Sequence, residues 1–183
     1  MNGFYLAIGQ QGSGKTLFSV KLLVDDIKKK SRKVYSNITL FDIPYTKITF
    51  NKERCSDPEV ISFAELIEQD KNIFNDSIIL WDEMHLDLDS LDFMKKNNRE
   101  KQVFFSQLRK RNILLLGTTQ YIMHLDIRIR RQCKNVFDMT YIEGNIFQVV
   151  TSKMDGYYTE EISRLFFDLH DYYNYYNTYE IVE

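Results

Sequence analysis

Residues Gly9-Gln10-Gln11-Gly12-Ser13-Gly14-Lys15-Thr16 have the spacing of a phosphate-binding loop, G-x-x-x-x-G-K-[ST]. The residue types suit that chemistry. Glycines let backbone N–H groups curl around phosphate oxygens with no Cβ in the way. A helix opening at the end of the loop turns its positive end to the same anion. Lys15 can reach the β- and γ-phosphates of a nucleotide, and the Thr16 hydroxyl can ligate Mg²⁺. A second set lies at Ser77-Ile78-Ile79-Leu80-Trp81-Asp82-Glu83, an apolar run ending in adjacent acids, which is the Walker B pattern. Asp82 is placed to hold Mg²⁺ through water, and Glu83 to take a proton from an attacking water. A third candidate is Gln120, directly after Ile113-Leu114-Leu115-Leu116-Gly117-Thr118-Thr119. Its amide either orients water and senses a γ-phosphate or simply begins a loop.

The flanking elements must position these groups. Phe4 to Ile8 reads as a buried strand ahead of the loop. Thr16 to Lys29 follows with Leu17, Val20, Leu22, Leu23 and Ile27 at helical spacing. The runs before Asp82 and Gln120 are continuously apolar, as in parallel strands buried on both faces. In an open α/β sheet the groups at the strands' carboxyl ends then share one crevice. Lys33 to Ser36 is a further short strand, and Lys47 to Phe50 an extended piece. Ser62-Phe63-Ala64-Glu65 is a capping box opening a helix to about Gln69. Asn97 to Arg111 reads as a basic helix, and His124 to Lys134 as a short basic helix or turn. Lys134–Tyr141 and Ile146–Lys153 form a hairpin about Glu143-Gly144-Asn145. The tyrosines at 157, 158, 172, 173, 175, 176 and 179 suit packing better than base stacking.

The expected fold is α/β: a P-loop NTPase (ASCE-type) three-layer fold with a mainly parallel central sheet and an added C-terminal hairpin and tail. At 183 residues one domain suffices. Its core spans about 3–140, with hairpin and tail over 141–183. Apolar and charged contents of 44% and 27% are those of a soluble globular chain. No apolar run is long enough for a membrane span, and no signal peptide precedes the first strand. Cys55 and Cys133 lack metal-type spacing and suit a reducing cytoplasm.

The net charge of −2 hides an asymmetry. Asp57 to Asp92 carries eleven acids against one lysine, whereas Phe93 to Lys134 carries eleven Lys or Arg against two acids. This describes either two solvated faces of opposite sign or a basic surface for a polyanion.

The order of parts resembles the FtsK–HerA group of P-loop ATPases. It runs phosphate loop, Ser36-Asn37-Ile38, Asp82-Glu83, Gln107-Leu108-Arg109-Lys110-Arg111, then Thr118-Thr119-Gln120. Within the group it is similar to genome-packaging ATPases of archaeal internal-membrane viruses and to Zot-like assembly ATPases of filamentous phages. The closing Tyr176-Asn177-Thr178-Tyr179-Glu180 adds a weaker likeness. The resemblance implies an ATP- and Mg²⁺-dependent ATPase that moves double-stranded DNA without sequence preference. It also implies a hexameric ring, host cytoplasm or procapsid as its location, and capsid or portal-vertex proteins as partners. Nucleotide would sit between neighbours, one of which supplies an arginine. Arg109 and Arg111 are the candidates, with Arg99, Arg128, Arg130 and Arg131 as rivals. Zot-like proteins usually carry a membrane span, so its absence here favours the packaging branch.

Two other functions compete. A small-molecule kinase would need a lid and an acceptor pocket, and acids directly after the Walker B strand point to water as nucleophile. An assembly or scaffold protein that binds ATP without hydrolysis has no need of Lys15, Asp82 and Glu83 together.

Overall fold

In the computed structural model, residues 1–51, 55, 57–88, 96–155 and 159–178 are described, with backbone alone at 96–101. Asp92, Phe93, Tyr157, Tyr158, Tyr179, Glu180 and the Arg99 side chain, all named above, lie outside the described residues.

Among the described residues the chain builds one nine-stranded sheet. In chain order the strands are β1 (Gly3–Ile8), β2 (Lys33–Ser36), β3 (Thr46–Thr49), β4 (Ile61–Ser62), β5 (Ser77–Trp81), β6 (Leu114–Thr119), β7 (Cys133–Glu143), β8 (Ile146–Met154) and β9 (Thr159–Asp168). Across the sheet they run β4-β3-β2-β5-β6-β1-β7-β8-β9. All pairs from β4 to β7 are parallel, and β7-β8-β9 is antiparallel. The α/β fold with a mainly parallel sheet is therefore as expected.

Alternate residues of the central strands serve two cores, which is why those strands read as unbroken apolar runs. Tyr5 and Ala7 of β1, Ile78 and Leu80 of β5, and Leu114 and Leu116 of β6 pack with Leu17, Val20, Leu23 and Val24 of helix α1 (Lys15–Ile27). Phe4, Leu6, Ile79, Trp81 and Leu115 face the other way. They meet Phe63 and Leu66 of α2 (Phe63–Gln69), Phe104, Phe105 and Leu108 in and just after α3 (Lys96–Gln107), and Ile129 of α4 (Ile127–Arg130). The result is three layers with β5, β6 and β1 at the centre.

Local signals were mostly obeyed. The capping box is complete: Ser62 Oγ accepts from Glu65 N, and Glu65 Oε2 accepts from Ser62 N. Gly144, at φ 56°, turns the β7–β8 hairpin. Two expectations need correction. The basic helix ends at Gln107 rather than Arg111, because Asn112 adopts a left-handed conformation (φ 55°) and Ile113 N turns back to Leu108 O. The tail is not only a tyrosine-rich appendage, since Thr159–Asp168 forms β9 against β8. That strand is an exposed edge with an irregular register at Thr151/Ser152, so it shows no clean alternation in sequence.

Candidate active site

The loop between β1 and α1 is shaped by glycine where nothing else fits. Gly9 has φ 140°, and a Cβ there would come within 2.5 Å of Met139 O. Gly14 has φ 87°, and its Cβ would lie 2.6 Å from the Phe147 ring. The hairpin strands β7 and β8 thus press directly on the loop. Helix α1 begins with no side-chain cap and no acid in its first turn, so its opening N–H groups stay available to an anion. Ser13 Oγ is buried without a hydrogen-bond partner. Lys15 is buried and its ammonium donates to Gln10 O at 3.0 Å, folded over the loop it would share with phosphate. These features fit a triphosphate: an orphan hydroxyl, a cradle with no room for a Cβ at Gly9 or Gly14, and a nearby ammonium.

Register brings the acids beside the loop. β6 lies between β5 and β1, with Trp81 level with Gly117 and Ile8 level with Thr119. Thr16 Oγ1 donates to Asp82 Oδ1 at 2.8 Å, and Thr118 Oγ1 donates to the same oxygen at 2.7 Å. A hydroxyl and a carboxylate this close are the hard oxygen donors that Mg²⁺ takes alongside phosphate and water. Asn37 holds the Asp82 backbone from the other side: Asp82 N donates to Asn37 Oδ1 (2.8 Å) and Asn37 Nδ2 to Asp82 O (2.9 Å). Burial pushes the Asp82 carboxyl above the usual range and the neighbouring Glu83 adds to this. The Thr118 and Thr16 hydrogen bonds and Lys15 oppose it.

Glu83 is held differently. Its backbone is left-handed (φ 51°, ψ 47°), a conformation non-glycine residues adopt at some cost. Glu83 N donates to Thr118 Oγ1 at 2.9 Å, which fixes the turn. Its Oε2 is buried with no hydrogen-bond partner, although His85 Nδ1 lies 3.2 Å away, a contact that becomes an ion pair only when the imidazole is protonated. Burial raises the Glu83 carboxyl and Lys15 lowers it. A buried carboxylate oxygen with no hydrogen-bond donor and an imidazole beside it suits a proton acceptor.

Gln120 follows the tip of β6 at the same sheet edge, with an exposed side chain. Arg109 and Arg111 sit elsewhere. Arg109 lies beside Gly3 at the start of β1, and Arg111 O accepts from Asp76 N at the start of β5. The length of a strand separates that edge from the acids, about 20 Å. Arg111 is also engaged within the chain, donating to Asn75 Oδ1 at 2.8 Å and to Lys71 O. Of the rivals, Arg128 is paired with Asp126, and Arg130 is buried with Nη1 on Met123 Sδ. Sequence reasoning singled out Asn37 and Thr118 only as members of short motifs. Their grip on Asp82 and Glu83 depends on strand order, which no local pattern carries.

A family model described as zonular occludens toxin (Zot) matches residues 3–163. No curated protein matches. Among solved structures, the N-terminal domain of zonular occludens toxin from Neisseria meningitidis is 21% identical. It covers 97% of this chain and 100% of its own, at a TM-score of 0.67. B204, the DNA-packaging ATPase of Sulfolobus turreted icosahedral virus, is 12% identical at a TM-score of 0.57, covering 89% of this chain and 98% of its own. The genome packaging NTPase B204 of Sulfolobus turreted icosahedral virus 2, in complex with AMP, is 11% identical at 0.59, covering 88% and 97%. At these identities the likenesses concern the fold, a P-loop NTPase fold. No described helix is long and apolar enough to cross a membrane. The family match leaves that feature no weight in favour of the packaging branch.

Proposed function

The chain belongs to the zonular occludens toxin (Zot) family, and on that premise we propose that it is an ATPase of viral assembly, working as a ring that moves double-stranded DNA. The observation that carries the ATPase reading is one hydrogen-bonded group under the phosphate loop: Thr16 and Thr118 donate to Asp82, and Glu83 N donates to Thr118 Oγ1. The loop N–H groups and Lys15 hold the phosphates. Thr16 and Asp82 would hold Mg²⁺, which would supply positive charge against the phosphates. Glu83 accepts the proton of a water whose oxygen bonds to the γ-phosphorus as the β–γ bridge breaks, releasing ADP and phosphate. Gln120 orients that water. Acids placed directly after the β5 strand favour this over a kinase, whose nucleophile would come from an acceptor.

An arginine from a neighbouring copy completes the site. Arg109, exposed at the far edge, fits better than Arg111, whose guanidinium is occupied. DNA is held by its phosphates, with strong salt dependence. The cations for it gather at the strands' starting edge. Lys28, Lys29 and Lys30 after α1 are exposed, as is Lys110, and the two loops are tied by Arg32 Nη2 on Asn112 Oδ1 at 3.2 Å. Host cytoplasm and capsid or portal-vertex partners belong to the same reading.

A second reading, favoured by the Zot match over residues 3–163, is an assembly ATPase that moves no DNA. Turnover with and without duplex DNA separates them. The motor shows DNA-stimulated hydrolysis, lost by at least about a hundredfold in Glu83→Gln with nucleotide binding retained. Unstimulated turnover that Glu83→Gln abolishes supports the second reading. Turnover untouched by Glu83→Gln sinks both.

A further inference from the structure

The chain's last described segment does not end at the sheet edge where β9 leaves it. It returns across α1 to the nucleotide side. Leu169, fully buried, donates from its N–H to Asn145 O at the hairpin turn. A 3₁₀ turn, His170–Tyr175, then packs on α1, with Tyr172 Oη 3.4 Å from Asp25 Oδ1 and Lys21 Nζ 5.7 Å over the Tyr172 ring. Tyr175 and Tyr176 join the α1-side core. Beyond α1 the segment pairs with residues that follow β2. Phe41 N donates to Tyr175 O at 2.8 Å, Asn177 N donates to Thr39 O at 3.2 Å, and Tyr176 bridges Leu40 in antiparallel fashion.

Residues 38–43 are also held locally, with Ile38 N donating to Ser36 Oγ at 3.1 Å and Lys47 Nζ to Thr39 Oγ1 at 3.1 Å. They form no regular element, and Ile38, Leu40 and Ile43 are buried as single apolar plugs. They begin right after Asn37, which makes both backbone hydrogen bonds to Asp82. A fixed path therefore runs from the tail bridge through Leu40 to Asn37 and on to Asp82.

We propose that residues 169–177 form a strap that completes the nucleotide site, with Tyr176 as a positioning residue that holds the 37–41 segment, and through Asn37 the Asp82 carboxylate, in the geometry that receives Mg²⁺–triphosphate. This rests on the site being a nucleotide site. A separate sign of proximity agrees: the Tyr176 phenol is pushed above its ordinary range chiefly by burial and next by the Asp82 charge. The ring is the anchor, since the bridge itself is made by backbone. The strap also explains why a tail without any catalytic motif is laid over α1 rather than left at the sheet edge.

The test measures binding rather than turnover. Affinities for a non-hydrolysable ATP analogue with Mg²⁺, and for ADP without metal, are measured by calorimetry on the full chain and on Tyr176→Ala, Tyr176→Phe, Asn37→Ala and the Tyr176→Ala/Asn37→Ala double variant. Tyr176→Ala should weaken metal-dependent binding about tenfold and leave metal-free ADP, held by the phosphate loop, within about twofold. Tyr176→Phe should restore wild-type affinity. The double variant should be no weaker than the poorer single one, because both act on Asp82 along one path. Equal weakening of both ligands, unchanged binding, or additive losses each overturn the strap as a positioning device. If Tyr176→Ala melts below the assay temperature, Tyr176→Leu takes its place with the same expectations. Failure of the wild-type chain to bind either nucleotide would instead remove the function on which the proposal rests.

Discussion

The parallel and antiparallel halves of the sheet serve the same site in opposite ways. β1, β5 and β6 are buried on both faces and carry the proposed reacting groups and their support at their carboxyl ends: the loop with Lys15, the Asp82–Glu83 pair, and Thr118. β7, β8 and β9 deliver none of the chemistry. They offer a carbonyl at Gly9, a ring at Gly14 and the start of the tail that returns to Leu40. Groups that must stay within hydrogen-bond reach of each other hang on strands that cannot move independently. Groups that only need to fill space come from a half-exposed edge. Catalytic geometry and its support are therefore separable, and substitutions in the two halves should fail differently.

The largest effect should come from the supporting half. Phe147 is 2% exposed and packs against Gly14. Phe147→Ala should cost about 3–5 kcal/mol of stability in denaturant unfolding. It should also weaken nucleotide binding by loosening the loop, while turnover per bound nucleotide stays near wild type. A drop in turnover at saturating ATP would show that the two halves are not separable.

Thr118→Val is the matched change in the catalytic half. It leaves Glu83 N without a partner and removes one donor from Asp82, for about 1–3 kcal/mol. Here turnover at saturating ATP should fall more than affinity, because the left-handed Glu83 turn loses its tie. Affinity lost with turnover unchanged would argue that Thr118 serves binding alone.

The smallest expected effect has the opposite sign. In the nucleotide-free protein the Asp82 and Glu83 carboxyls lie above their ordinary range, chiefly through burial. The folded state then binds protons more tightly than the unfolded state. Stability falls as pH rises from the ordinary carboxylate value, about 4, through the raised folded values. Asp82→Asn should remove part of that cost and raise nucleotide-free stability by about 1 kcal/mol at neutral pH, while abolishing the benefit of added Mg²⁺–nucleotide. A thermal melt showing Asp82→Asn less stable than wild type would mean that its hydrogen bonds outweigh its buried charge.

The two halves also differ in how far they could be read. Lys15, Thr16, Asp82 and Glu83 stand in short patterns whose chemistry requires those types at that spacing. The strands before them are apolar without interruption because both faces are covered. The Ser62–Glu65 box and the turn at Gly144 were equally local. β9 was not legible, since an exposed, irregular edge strand shows no period-two pattern. The arginines were not legible for a different reason: a basic run says nothing of which guanidinium is already bound, as Arg111 is to Asn75 and Lys71.

The order of residues alone determined the phosphate loop, the acidic pair, the α/β layering and the hairpin, because each follows from neighbours within one element. Tertiary structure alone decided that Thr118 and Asn37 would grip Asp82 and Glu83, that Phe147 would wall Gly14, and that the tail would return to Leu40. Those contacts join residues 35 or more positions apart in the chain. They exist only once hydrogen-bonded register has fixed which strands are neighbours.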